Sequence, residues 1–240
     1  KTIIGFNKCV KKVKPDLIIV HGDRVEALAG ASVGYLNNIL TAHIEGGEVS
    51  GTIDELIRHS VSKLCHIHFV SNIDASKRLI QMGEYKSTIH VIGSPDIDIM
   101  NSNELPTLDK VKRHYDIVFD EYVIFCYHPV TTELEHLKEN IKQICNALNK
   151  LKKNVIIIQS NNDPGRSVIH DVITKSFKRK KNYKFFPSLR HSYFLSLLKN
   201  ADLIIGNSST GIREAPIFAV PSINLGNRQN GRFKFKTIVN

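Results

Sequence analysis
IIGNSSTGIREAPIFAVPSINLGNRQNGR, residues 204–232, carries an apolar run into a turn of small residues and from there into a helix-forming stretch. Pro221 and Gly226 then bracket a second short apolar run, SINL, and Arg228 arrives on the loop behind it. Strand, turn, helix and strand in that order form the repeating unit of a parallel sheet. Backbone N–H groups at a helix start lack partners within the helix and carry partial positive charge. Asn207, Ser208, Ser209, Thr210 and Gly211 therefore present donors with little side-chain bulk in the way. Such a turn suits a diphosphate. Glu214 follows at helical spacing, placed to accept hydrogen bonds from a ribose. For an isolated NSS triplet an ordinary surface N-cap is the plainer reading. Here four features coincide and favour a ligand site.

Outward from this stretch the chain alternates in the same way. Apolar runs that read as buried strands fall at 17–20, 39–44, 67–70, 89–92, 122–127, 155–159 and 203–205. Between them lie helix-period stretches at 24–37, 53–64, 75–82, 134–151, 168–176 and 192–198, and the chain opens on a further helical stretch, KTIIGFNKCVKKVK. The class is therefore α/β, with parallel sheets covered by helices on both faces. SPDIDIMNSNELPTLDK, residues 94–110, breaks the rhythm with two prolines and several turn formers and reads as a linker. This divides the chain into an α/β domain over 1–105, short of strands at its start, and a second over 106–240. In such folds ligands bind at the C-terminal edges of the sheets, here in a cleft between the two.

Composition is that of an ordinary globular protein, with 42% apolar and 23% charged residues. The net charge of +10 suits an anionic small molecule. Its lysine-rich pieces, 150–153 and 175–181, read as solvated helix ends, and no nucleic-acid recognition motif accompanies them. Cys9, Cys65, Cys126 and Cys145 show no CxxC spacing, and three of them lie in apolar runs, as reduced core thiols do. The reading is a cytoplasmic protein with no membrane segment, no metal and no cofactor.

Acidic residues gather at strand ends. The run 17–20 ends in His21-Gly22-Asp23-Arg24, and the next in His43-Ile44-Glu45-Gly46-Gly47-Glu48. Asp23 and Glu45 thus share one sheet edge. SGTIDELIRHS follows, where Thr52 and Glu55 read as a capping box and Asp54 lies in the first helical turn. The structural alternatives are an N-cap for Asp23, a solvated loop acid for Glu45, and for Asp54 a helix-dipole acid paired with Arg58 at i,i+4. Three acids converging on one edge outweigh them. The run 122–127 ends in His128-Pro129, with Thr132 and Glu135 as a second capping box. His128 is placed to help a phosphate depart. His21, His43, His66 and His68 read as unremarkable, and Ser160–Gly165 as a turn.

HGDR at 21–24, HIEGGEVSGTIDELIRH at 43–59, HPVTT at 128–132, GNSSTGIRE at 206–214 and INLGNRQNGR at 223–232 together resemble the UDP-N-acetylglucosamine 2-epimerases over almost the whole chain. HIEGGEVSGTID resembles the hydrolysing branch; the non-hydrolysing branch has HxEAGLRT followed by a Pro-Glu-Glu run. The resemblance implies the two-domain GT-B fold with Rossmann-like parallel sheets. It also implies conversion of UDP-GlcNAc and water to N-acetylmannosamine and UDP through a 2-acetamidoglucal, in a homo-oligomer (dimer or tetramer). Asp23, Glu45 and Asp54 then match the catalytic acids, the first two for proton transfer at sugar carbon 2 and the third for protonation or water delivery. His128 matches the histidine near the leaving diphosphate. Ser208, Ser209 and Gly211 match the diphosphate turn, Glu214 the ribose contact and Arg228 a residue close to the nucleotide. Arg24 and Asn161 match further ligand-side positions.

Family members begin with a strand and a Gly-Thr-Arg-Pro-Glu-like loop and continue past the Asn-Gly-Arg run. The resemblance therefore implies a chain lacking elements at both ends, with little activity as these 240 residues alone. Other readings are an epimerase for a modified amino sugar such as UDP-diacetylbacillosamine, a non-hydrolysing epimerase, a GT-B glycosyltransferase, a nucleotide-sugar sensor and a nucleic-acid binder.

Overall fold
The computed structural model describes residues 1–50, 53–130, 133–161, 163–230 and 235–240. Contacts divide it into two compact units, Lys1–Asp96 and Ile97–Asn240. The first contains α1 (Thr2–Val13), β1 (Leu17–His21), α2 (Val25–Leu36), β2 (Leu40–Ile44), α3 (Ile53–Lys63), β3 (Ile67–Val70), α4 (Ile73–Gln81) and β4 (Ile89–Val91). Its strands are all parallel and lie side by side in sequence order, β1-β2-β3-β4.

That order has a physical consequence. Right-handed crossovers that all step in one direction put their helices on one face. Ile18 and Val20 of β1 accordingly pack with Ala27, Ala31 and Val33 of α2 and Val61 of α3. Gly30 lets α2 lie close, since a Cβ there would stand 2.8 Å from Val20 Cγ1. The alternate residues of β1 point the other way, and Leu17 and Ile19 are 40% and 57% exposed. Cover on both faces, expected from the strand–helix alternation, is thus absent at β1 among the described residues.

The second unit follows α5 (Pro95–Asn101), which crosses the division. It contains α6 (Leu108–His114), β5 (Val123–Cys126), α7 (Leu137–Lys150), β6 (Val155–Ile158), α8 (Arg166–Phe177), β7 (Tyr183–Phe186) and α9 (His191–Lys199). After these come β8 (Leu203–Gly206), α10 (Thr210–Arg213), β9 (Ser222–Asn224) and β10 (Ile238–Val239). Its parallel sheet has the order β10-β9-β8-β5-β6-β7. β5 is buried throughout. Val123 and Phe125 pack with Leu137, Ile141 and Leu148 of α7 and Ile169 and Ile173 of α8. Ile124 packs on the other side with Val111 of α6 and Leu197 and Leu198 of α9. After β7 the chain returns to lay β8 beside β5, so the strand order reverses between these two. That crevice, at the strands' C-terminal ends, is where open parallel sheets bind ligands.

Three features depart from the sequence reading. The segment read as a linker holds α5 and α6. Pro95 opens α5 at a position where its missing N–H costs nothing, and Thr107 caps α6, its Oγ1 accepting from the Lys110 amide. α7 begins at Leu137, after a 3₁₀ turn at Leu134–His136. Thr132, half of the capping box expected there, lies outside the described residues. β7 and β10 carried no signal: four residues after a run of lysines, and two near the chain's end, are too short to show a period. Cys65, Cys126 and Cys145 are buried free thiols, while Cys9 is exposed. Among the described residues no helix is long and apolar enough to cross a membrane.

Candidate active site
In the first unit the ends of β1 and β2 and the start of α3 hold the acids. Arg24, exposed and extended, is the N-cap of α2 and makes no side-chain capping bond, so Asp23 is not spent as a cap. The Asp23 carboxylate instead meets the guanidinium of Arg58. Arg58 is buried, and its Nη1 also donates to the Glu48 carbonyl at 2.8 Å. Arg58, read from the sequence as the i,i+4 partner of Asp54, thus reaches Asp23 just past the end of β1. Asp54 itself lies half-buried in the first turn of α3. Glu55 Oε2 accepts from the Ser50 amide at 2.7 Å, a cap reaching past Thr52, which is outside the described residues.

Glu45 is 6% exposed and sits directly after β2 with φ of 62°, a left-handed conformation that a residue with a Cβ adopts only under constraint. Its amide donates to the Phe69 carbonyl at 2.8 Å. Its carboxylate accepts from Ser94 Oγ and lies 3.2 Å from His21 Nε2. His21 is therefore part of the cluster, against the sequence reading. So is His43, fully buried, with Nε2 2.9 Å from the Gly22 carbonyl and Nδ1 3.0 Å from Ser62 Oγ. A carbonyl only accepts, so Nε2 carries the proton and Nδ1 accepts from Ser62. Burial pulls the His43 pKa down to about 4, the Gly22 contact opposing it.

An imidazole that refuses a proton when folded makes the first unit acid-sensitive. Unfolded histidine titrates near 6.5, so below that pH the unfolded chain binds a proton that the folded chain does not, and stability falls with pH. His43 alone is expected to remove about 2 kcal/mol between pH 7 and pH 5. Urea unfolding at the two pH values checks this; a stability no lower at pH 5 would contradict it.

In the second unit the loops after β5, β8 and β9 meet. His128 follows β5, and its Nδ1 accepts from the Asn161 amide at 3.1 Å. The neutral ring therefore carries its proton on Nε2, which lies 3.5 Å from Cys126 Sγ. Burial, then the nearby Arg228 charge, lowers the His128 pKa to about 4, while burial raises that of Cys126 to about 11. The two are a neutral thiol and a neutral imidazole, not an activated nucleophile. His128 is thus a hydrogen-bond donor through Nε2 and not a cation. The Asn161 side chain turns away, its Nδ2 donating to Asp163 Oδ2 at 2.5 Å.

The small-residue turn stands where it was expected, but α10 is a single turn that passes into a 3₁₀ segment, Ala215–Phe218. Of the five amides read as donors, Asn207 bonds the Cys126 carbonyl at 3.2 Å and Gly211 that of Ser208 at 3.2 Å. Glu214 follows α10, half-buried. Arg228 Nη1 and Gln229 Nε2 donate to the Asn207 carbonyl at 3.3 and 2.8 Å. Asn207 is fully buried, and its side chain bonds both backbone groups of His128, taking the amide on Oδ1 at 2.6 Å and giving Nδ2 to the carbonyl at 2.8 Å. The sequence reading missed this role, as it missed Arg58. The one available sign was a polar residue between an apolar strand and a turn.

The profile of the UDP-N-acetylglucosamine 2-epimerase family matches residues 1–239. The chain is 48% identical to a UDP-N-acetylglucosamine 2-epimerase of Neisseria meningitidis serogroup B over 99% of its own length and 63% of that protein's. It is 34% identical, over the same shares, to a hydrolysing UDP-N,N'-diacetylbacillosamine 2-epimerase of Legionella pneumophila. Among solved structures, the Methanocaldococcus jannaschii UDP-GlcNAc 2-epimerase in complex with UDP-GlcNAc and UDP superposes with a TM-score of 0.78 at 25% identity, covering 95% of this chain and 65% of that one. The fold is the GT-B-like one of these enzymes, and the chain spans about 63% of the length of the curated relatives it matches. By profile and by sequence identity along nearly its whole length, the chain belongs to the UDP-N-acetylglucosamine 2-epimerase family.

Proposed function
We propose that the protein carrying these residues is a hydrolysing UDP-N-acetylglucosamine 2-epimerase, which converts UDP-GlcNAc and water to N-acetylmannosamine and UDP. The observation that carries the reading is Glu45: a buried carboxylate held in a left-handed conformation at the end of β2, in a HIEGGE sequence, beside the end of β1 that leads into Asp23, the partner of Arg58. In the first half-reaction the C2–H bond breaks to a carboxylate, a C1–C2 double bond forms, and the C1–oxygen bond breaks with UDP taking the electron pair. Water then adds its hydroxyl to C1 and a proton reaches C2 from the opposite face. Proton transfer of this kind needs carboxylates beside the ring, a role for Glu45 and Asp23, with Asp54 assisting. Arg58 fixes the direction of Asp23.

Charge develops on the departing diphosphate, where preorganised donors act most strongly. His128 Nε2–H, the Arg228 guanidinium and the Ser208 and Ser209 amides supply them, with Gly211 keeping the turn tight and Glu214 receiving the ribose. Arg24 and Asn161 stand as outer contacts.

Proton NMR of the enzyme with UDP-GlcNAc in deuterated water tests the reading. Free N-acetylmannosamine with deuterium at C2, together with free UDP, is expected. A product still bound to UDP would mean a non-hydrolysing epimerase, and turnover of UDP-N,N'-diacetylbacillosamine alone would mean a modified amino sugar, as in the Legionella relative's name.

A further inference from the structure
We infer that Asn207 is a positioning residue whose side chain, by pairing with both main-chain groups of His128, sets the direction in which that imidazole presents its Nε2–H. The inference rests on the proposed role of His128.

The backbone ladder between β5 and β8 ends at the pair Cys126–Gly206. One residue further the two chains would part, each into its own loop. Asn207 prevents this, because a primary amide offers a donor and an acceptor in one plane, as a peptide edge does. With Oδ1 at 2.6 Å from the His128 amide nitrogen and Nδ2 at 2.8 Å from its carbonyl oxygen, the side chain adds one more rung to the ladder. The orientation of the amide is unambiguous: a backbone N–H must meet the oxygen and a carbonyl must meet the nitrogen. Full burial adds weight, since each of these groups left without a partner carries the desolvation cost of a buried polar group.

With its backbone held in this way, His128 receives the Asn161 amide on Nδ1, and its one N–H is on Nε2, 3.5 Å from Cys126 Sγ. The effects of side chain and backbone separate cleanly. Arg228 and Gln229 bond the Asn207 carbonyl, which any substitution retains. A change of side chain should therefore act on His128 and spare the nucleotide contact.

Other residues cannot make the rung. Leucine has the shape without either bond. Aspartate keeps the acceptor for the His128 amide but turns a second oxygen toward the His128 carbonyl, unless that oxygen carries a proton and donates.

The test uses Asn207→Leu and Asn207→Asp in the intact enzyme, with folding checked by thermal melting. In Asn207→Leu, kcat is expected to fall about 100-fold, within the range for a general acid–base or donor group, with UDP affinity within threefold of the parent. The ¹⁵N resonances of the His128 ring should shift from a single Nε2–H tautomer to a mixture. In Asn207→Asp, activity relative to the parent should rise as pH is lowered, because protonation restores the missing donor. If Asn207→Leu does not fold, the aspartate variant alone decides. A relative activity independent of pH, an unchanged imidazole spectrum, or UDP affinity lost in step with kcat would overturn the inference. The imidazole spectrum and UDP affinity need no turnover, so an enzyme inactive on UDP-GlcNAc would refute the proposed function and still leave the role of Asn207 open to measurement.

Discussion
Glu45→Gln is expected to lower the rate of N-acetylmannosamine release about 1,000-fold while UDP binds as before, the size of effect that goes with removing a general acid or base. The substitution is almost isosteric. The amide oxygen can still accept from Ser94 Oγ, and the backbone keeps its bond to Phe69. The left-handed conformation is no harder for glutamine than for glutamate, so stability should hold while chemistry is lost. Asp23→Asn is expected to fail in turnover too, but it is a less clean test. It takes the charge partner from buried Arg58, and removing one member of such a pair destabilises in its own right. The readout is kcat with UDP affinity measured alongside, followed by deuterium exchange at C2 in deuterated water. A Glu45→Gln enzyme retaining a tenth of parental turnover, or losing its affinity for UDP, would show that the proton-transfer role was misassigned.

Gly206→Ala should cost the second unit more than about 3 kcal/mol, enough to unfold an ordinary domain. Gly206 has φ of 146°, a conformation essentially closed to residues with a Cβ. The added carbon would overlap the carbonyl oxygen of Cys126 and stand 2.6 Å from its carbonyl carbon. Those atoms belong to β5, held by pairs to β6 and β8, and cannot give way. Two controls calibrate the result. At Gly211 the one close approach of a Cβ would be to Ser222 Oγ, at 2.6 Å, which can rotate aside, the next atoms standing at 3.8 and 3.9 Å. Gly226, with φ of 76°, opens on free space, so alanine there carries backbone strain alone, about 1 kcal/mol. Denaturant midpoints should rank Gly206→Ala well below both. Equality with Gly226→Ala would mean that the close approach of the two chains is unimportant.

The strands that carry the site were legible because each is a run of apolar residues ending in a turn former, and such a run needs no partner to be read. Asp23, Glu45 and His128 could be set at strand ends for the same reason. What could not be read was which side chain each would meet. His128 and Asn207 are 79 positions apart, and Asp23 and Arg58 are 35 apart. Nothing local distinguishes an arginine that crosses to a strand end from one that pairs along its helix. His21 and His43 were passed over likewise: a histidine beside an acid in sequence says little until the fold decides which carboxylate, carbonyl or hydroxyl it faces. The helical start after Asn207 was read correctly but overvalued, since α10 lasts one turn and its dipole is correspondingly small.

The reversal of strand order in the second sheet sets how its site was assembled from the chain. Leu17 pairs with Leu40, whereas Val123 pairs with Leu203. Loop-closure entropy grows only with the logarithm of length, so joining ends about 80 residues apart costs roughly 1 kcal/mol more than joining ends about 20 apart. The closure entropy of the excursion between β5 and β8 is thus small, while its α7, β6 and α8 supply the packing on β5. Length can be added to or removed from the excursion beyond Asn161, whose amide holds the His128 ring, without disturbing the pairing of His128 with Asn207, provided β5 keeps a strand on that flank. The two walls of the crevice are neighbours in space but distant in sequence, and the pairing of Asn207 with His128 ties the turns that tip them.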